Sequence, residues 1–148
     1  MDIAVTYDPM TMSFSWDIAA PGLAQDNGLL TAVILSLFSD RRAHPDDSLP
    51  SDDDRRGWWA DAYADPENDL WGSRLWLLER SKQMADVLRK TEEYAREALQ
   101  WMITDRVLQS MDCRAEIVRD GVRGLTVTMT RGNEPAVRYR FEIFWKGN

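Results

Sequence analysis

The spacing of hydrophobic positions changes twice along the chain. Ile3, Val5 and Tyr7, then Met12, Phe14, Trp16 and Ile18, alternate with mostly polar or small residues. A period of two belongs to half-buried strands, so this segment predicts a β-hairpin. Asp8-Pro9 marks its turn, because proline fixes its own φ and drives the preceding residue out of the helical region. The run from Leu29 to Phe38 is apolar apart from Thr31 and Ser36. Val33 and Ile34 leave a buried strand open, but the run exceeds the usual strand length of about 5–6 residues and favours a helix, capped by the side-chain oxygens of Asp26-Asn27-Gly28.

Beyond Ser39 the periodicity lapses. Pro45, Pro50, Gly57 and Pro66 and the acid clusters Asp46-Asp47 and Asp52-Asp53-Asp54 predict a long loop over 40–70, with an acidic loop at about 40–57. Helical spacing returns at Arg74–Arg80, with Gly72-Ser73 as its start, and Ser81 caps a second stretch that the pattern carries to Met111. Met84, Val87, Leu88 and Thr91 form one stripe of this long helix, with Asp86–Lys90 and Glu92–Arg96 as four-apart charge pairs. Its later part leaves only a narrow polar strip through Glu93, Glu97, Gln100 and Thr104. The period then falls to two again. Cys113–Arg119, the turn Asp120-Gly121, the alternation Leu125, Val127, Met129, the turn at Arg131–Pro135 and a last strand predict a three-stranded antiparallel meander. That last strand sets Val137, Tyr139, Phe141, Ile143 and Trp145 against Arg138, Arg140, Glu142 and Lys146, with Phe144 out of phase. The fold class is therefore α+β, built from an N-terminal hairpin, central helices and a C-terminal meander.

Composition narrows the function. A chain of 148 residues with 44% hydrophobic positions suits one domain with one core. The longest apolar run is far short of the roughly 20 residues of a membrane-spanning helix. Met1-Asp2-Ile3-Ala4 has no secretory character, so a cytoplasmic site of synthesis and residence is expected. A single cysteine, Cys113, excludes an internal disulfide and a multi-thiolate metal site, and fits a small buried hydrophobe. Residues 40–69 carry ten acids against four arginines, and residues 113–148 seven bases against four acids. That basic excess is too dilute for a nucleic-acid footprint.

The chemistry is thin. His44 is the one histidine and completes no triad, and the aspartates at 46–54 lack the spacing of a calcium loop, so no catalytic, metal or cofactor residues are assigned. Tryptophan is the outlier: four of the seven lie between Trp58 and Trp76. Core plugging is favoured for Trp76 and Trp101. Trp58 and Trp59 are adjacent, so one buried and one outward ring is expected. Aromatic anchors of that kind dominate protein interfaces and also stack on sugars.

Four blocks resemble the small baseplate wedge protein of Mu-type contractile-tailed phages, and more distantly the larger baseplate and sheath-initiator family. They are Leu30–Ala43, Arg56-Gly57-Trp58-Trp59-Ala60-Asp61, Gly72-Ser73-Arg74-Leu75-Trp76-Leu77-Leu78 and Glu97-Ala98-Leu99-Gln100-Trp101-Met102. The resemblance implies a structural protein of the virion baseplate, assembled in the host cytoplasm. It would be present in several copies in a ring, and would contact other wedge and hub proteins and the first sheath layer. The Glu-Pro-Arg type motif of the distant family is replaced here by Glu134-Pro135-Ala136. The interface expectation falls on Trp58, Trp59, Asp61, Arg74, Arg138, Arg140, Phe144 and Lys146, with strand addition at the last strand and a basic neighbour facing the acidic loop. Two other readings stand beside it: a peptidoglycan-directed glycosidase or sugar-binding module, and an assembly chaperone absent from finished particles. A tryptophan-lined cleft with two facing carboxyls would favour the enzyme.

Overall fold

The computed structural model describes residues 2–3, 5–8, 10–11, 13–16, 18–19, 22–23, 25–26, 28–50, 53–64, 67, 69–81 and 85–144. The N-terminal alternation folds as predicted, with strand β2 (Val5–Asp8) pairing antiparallel with β3 (Ser13–Trp16) in the register Val5↔Trp16 to Asp8↔Ser13. Asp8 organises the turn by accepting the Met10 N–H at 2.9 Å. Four two-residue strands form two further, separate pairs: β1 (Asp2–Ile3) with β6 (Gln25–Asp26), and β4 (Ile18–Ala19) with β5 (Gly22–Leu23). The turn residue Pro9, the cap residue Asn27 and the stripe residue Met84 lie outside the described residues.

Helix α1 spans Leu29–Phe38, where the apolar run predicts it, but its cap differs. The N-cap is Gly28, in the left-handed region at φ 87°, and no side-chain oxygen caps it. Its carbonyl closes the first turn by accepting the Ala32 N–H at 2.9 Å. Val33, Ile34 and Leu37 are buried, each contributing roughly 1.5–3 kcal/mol. The hairpin is tied to this helix by the Val5 N–H on Thr31 Oγ1 at 3.2 Å. Phe14 packs on Phe38 (centroids 4.6 Å apart), and Phe38 meets Phe141 edge-on at 5.5 Å, joining hairpin, helix and meander.

The described residues of 40–70 form the expected long connection, with a 3-10 turn at Trp59–Tyr63. The helix expected over 74–80 is only a 3-10 turn, Leu75–Leu78, although all four of its side chains are buried. Helix α2 runs Ala85–Thr104 and stops short of the Met111 that the periodicity reaches. The stop is a Schellman motif: Arg106 turns left-handed at φ 60°, its N–H bonds Ile103 O, and the Val107 N–H reaches Met102 O at 2.8 Å. Val107 and Leu108 keep helical spacing because they fold back onto the core; Met111 already belongs to a strand. Glycine normally holds such a position, so Arg106→Gly is expected to raise the unfolding free energy by about 0.5–1 kcal/mol, read as a higher melting temperature.

The meander is β7 (Ser110–Arg119), β8 (Val122–Thr130) and β9 (Val137–Phe144), all antiparallel, with β8 central. The register aligns Cys113, Val127 and Tyr139 in one row and Ala115, Leu125 and Phe141 in the next, on the face that meets α2 and α1. Burial pushes the Cys113 thiol up to about 11, as befits an inert core sulfur. Arg123 is also enclosed on this face, where it donates to Thr91 Oγ1 of α2 at 2.9 Å, and burial lowers it to about 10. On the outer face Arg140 crosses above Gly124 to reach Glu116 at 2.6 Å. No described helix is long and apolar enough to cross a membrane.

Candidate functional site

The irregular connection is held by charge and by backbone pairing. Ser39 and Arg41 exchange backbone hydrogen bonds with Ser73, with Ser73 N–H on Ser39 O at 2.8 Å and Arg41 N–H on Ser73 O at 2.9 Å, forming an isolated parallel bridge. The Ser73 hydroxyl also donates to Leu37 O at the end of α1. Arg41 then uses its whole fork: Nε donates to Gly72 O at 3.1 Å, Nη2 to Leu70 O at 2.7 Å and Nη1 to Glu97 Oε1 at 2.9 Å. Glu97, on α2, takes a second arginine, Arg74, whose Nη2 lies 2.8 Å from Oε2. Arg74 continues to Asp47 at 3.0 Å and lies over the Tyr94 ring at 4.5 Å.

Burial works to raise the Asp47 carboxyl, but the His44 N–H and the Arg74 guanidinium outweigh it and hold the carboxyl below its ordinary range. Burial likewise opposes the charge of Arg74, and its two carboxylate partners reverse that, raising the guanidinium. The core indoles are tied to the same frame. Trp76 Nε1 donates to Arg41 O at 2.8 Å, and Trp101 Nε1 to Ser36 Oγ at 3.0 Å. Arg56, paired with Asp40 at 2.7 Å, sits over the Trp76 ring at 4.6 Å.

Between this braced connection and α2 opens a cleft of about 1210 Å³. One side is the 3-10 turn with Trp58, Trp59 and Tyr63; the other includes Trp71 and Trp101, whose rings are 6.2 Å apart. Contrary to the expectation of one buried and one outward ring, both adjacent tryptophans are exposed, Trp58 by 51% and Trp59 by 77%, with Tyr63 at 82%. The tight 3-10 turn explains this, since it swings Trp59 over Trp58 (6.0 Å) and Tyr63 (6.4 Å), and so keeps all three outside the core. Asp61 lies at the cleft wall, where its Oδ1 accepts the Trp71 N–H at 3.1 Å. Its Oδ2 is closed from solvent and accepts no hydrogen bond. Glu67, Asp69, Glu97 and Asp105 also line the cleft.

The structure thus brings Trp58, Trp59 and Asp61 together and sets the other expected contact residues apart. Arg74 is turned inward, with its side chain 14% exposed, in the Glu97 network. Arg138, Arg140 and Phe144 lie on β9, away from the cleft, where Arg138 and Arg140 are exposed and Phe144 is 62% exposed. Lys146, with Trp145, falls outside the described residues. Sequence reasoning placed Trp71 in the tryptophan cluster but gave no site role to Arg41, Glu97 or Tyr63; the only signals for the charged pair were two arginines just past Ser39-Asp40 at the end of an apolar run and a glutamate in the narrow polar strip of an apolar helix.

The described residues thus make a mixed α+β fold with an aromatic, acid-lined cleft, and hold no cluster of three or more His, Cys, Asp or Glu side chains placed to ligate a metal ion. The sequence places the chain more narrowly. The profile of the family described as Phage protein GP46 matches residues 29–136. The chain is 41% identical over 134 residues to the baseplate protein gp46 of Escherichia phage Mu, covering 88% of this chain and 90% of that protein. It is 37% identical over 128 residues to the Mu-like prophage FluMu protein gp46 of Haemophilus influenzae, covering 86% and 87%. The chain belongs to this Mu-type baseplate protein family. The four blocks that resembled it are also those that meet in space. Arg41, Gly72 and Ser73, Arg74 and Glu97 come from three of them, and Trp58, Trp59 and Asp61 from the fourth.

Proposed function

We propose that this protein is a structural component of the baseplate of a contractile phage tail or a related prophage particle, where it binds other wedge and hub proteins and has no catalytic activity of its own. The observation that carries the proposal is the 41% identity to the Mu baseplate protein across nearly the whole of both chains. Two surfaces supply the contacts. The first is the exposed Trp58–Trp59–Tyr63 ridge, since large rigid aromatic surfaces left in water by a folded domain are the anchors that interfaces use. The second is β9, which pairs with β8 on one side and borders no other described strand, so a strand of the sheath protein can add to it, with Arg138, Arg140, Phe144 and Lys146 selecting the partner. Arg74 serves indirectly by holding the connection on which the ridge is built. Several copies form a ring, and assembly takes place in the host cytoplasm.

Mass spectrometry of purified particles tests the class, because an assembly chaperone is absent from them and a baseplate protein is present. Within that test, Trp58→Ala is expected to reduce the yield of complete tails about tenfold or more while the isolated variant keeps its melting temperature. Normal tail yield from that variant removes the ridge from the interface. The cleft itself favours a second reading, a wall-glycan site, because tryptophans beside carboxylates suit sugars. Against it, Glu97 is neutralised by two arginines and Asp61 is engaged by a backbone N–H. Release of reducing ends from purified peptidoglycan by the isolated protein, lost on one Asp or Glu substitution, would establish that reading in place of the first.

A further inference from the structure

We propose that the cleft between the Trp58–Tyr63 segment and α2 is a socket for an arginine or lysine side chain presented by a partner protein. The inference rests on the baseplate reading for where that partner is met, and adds the chemistry that recognises it. Trp59, Tyr63, Trp71 and Trp101 all line the space, and an aromatic ring offers a cation the negative face of its quadrupole. The acids add to that sign. Asp61 stands in the cleft wall with Oδ1 on the Trp71 N–H and no donor on Oδ2, so no described cation pairs with it. Glu67, Asp69 and Asp105 also line the space, and none forms an ion pair with a described residue.

Two cations, Arg41 and Arg96, line the cleft against five acids, Asp61, Glu67, Asp69, Glu97 and Asp105, and Arg41 is already paired with Glu97 at 2.9 Å. The cleft therefore holds an excess of negative charge among aromatic side chains. Peptidoglycan stems and acidic peptides, which carry carboxylates, are repelled by such a site, and a neutral sugar would stack but leave the charge unbalanced. A guanidinium stacks flat on indole and supplies the missing charge in one group. The molecule uses the same pairing internally, with Arg56 over Trp76 and Arg74 over Tyr94.

The experiment titrates the whole protein with a pentapeptide amide of alternating glycine and arginine, following tryptophan fluorescence and indole N–H shifts. The same peptide with glutamate for arginine, and chitohexaose, serve as competitors in kind. Saturable binding of the arginine peptide, absent for the glutamate peptide and weakened about tenfold by Trp59→Ala and by Asp61→Asn, is the expected result. Trp59 is too exposed for its loss to threaten the fold, and a Glu67→Gln/Asp69→Asn double variant replaces Asp61→Asn should that variant unfold. No saturable arginine binding, equal binding of both peptides, affinity unchanged in these variants, or preference for chitohexaose would each overturn the socket. A chain found in purified particles that nonetheless ignores the arginine peptide would sink this inference and leave the baseplate role standing.

Discussion

Replacing Glu97 with alanine is expected to lower the unfolding free energy by about 3 kcal/mol, the low end of what breaking a buried ion pair costs, because the pair keeps some solvent contact. Two arginines depend on this one carboxylate, at 2.9 Å and 2.8 Å, and each is only 14% exposed. Removing it leaves both guanidinium groups partly desolvated and facing each other. Chemical denaturation reads the loss, and Glu97→Gln, which keeps the acceptor but not the charge, should fall between. An unchanged midpoint in the alanine variant would mean that the network contributes no net stability. Arg41→Lys tests the geometry, since an ammonium cannot reach Gly72 O, Leu70 O and Glu97 at once. The network also fixes an acid response. Asp47 is held below its ordinary value of 3.8 in the folded chain, so its contribution is complete above that value and disappears as pH falls through the lowered one. Asp47→Asn should accordingly be less stable than the parent near neutrality, with the gap closing toward strong acid.

The second large effect belongs to Gly72→Ala, for which a loss of about 4 kcal/mol is expected from the sum of backbone strain and a clash that nothing can relieve. Gly72 has φ +94°, and a Cβ there would stand 2.5 Å from Ser39 O and 3.0 Å from Arg41 N, both backbone atoms already fixed by the Asp40–Ser73 bridge. Gly132→Ala is the control. Its φ of +52° carries strain but its Cβ would meet nothing within 4 Å, so a loss of only about 1 kcal/mol is expected. Equal losses at the two positions would show that left-handed geometry alone, without the close approach of residues 39–41, accounts for the effect.

How far the chain could be read beforehand depended on whether a local signal was decisive. The meander was legible because hydrophobic alternation in β8 and β9 and the Asp120-Gly121 turn agree, and the structure sets Leu125, Val127 and Met129 on the buried face. The end of α2 was not legible, because it depends on an arginine taking a conformation that sequence assigns to glycine, while Val107 and Leu108 preserve the helical spacing. The short strands β4 and β5 were missed for a related reason, since two residues each cannot display a period. In the candidate site, the tryptophan cluster stood out from composition, but its outward orientation is a property of the 3-10 turn. The Arg41–Glu97–Arg74 bracing joins residues up to 56 positions apart and could be found only once α1, the 72–78 segment and α2 were in place.

Because Arg41 and Ser73 are clasped to each other, the thirty-odd residues between them enter and leave the body of the molecule at nearly the same point. Closing a longer excursion from such a gate costs little more, as loop entropy grows only with the logarithm of length. Enlarging or trimming the outer part of that excursion therefore leaves helix and sheet undisturbed, and the protein can be refitted to differently shaped neighbours without its framework being redesigned.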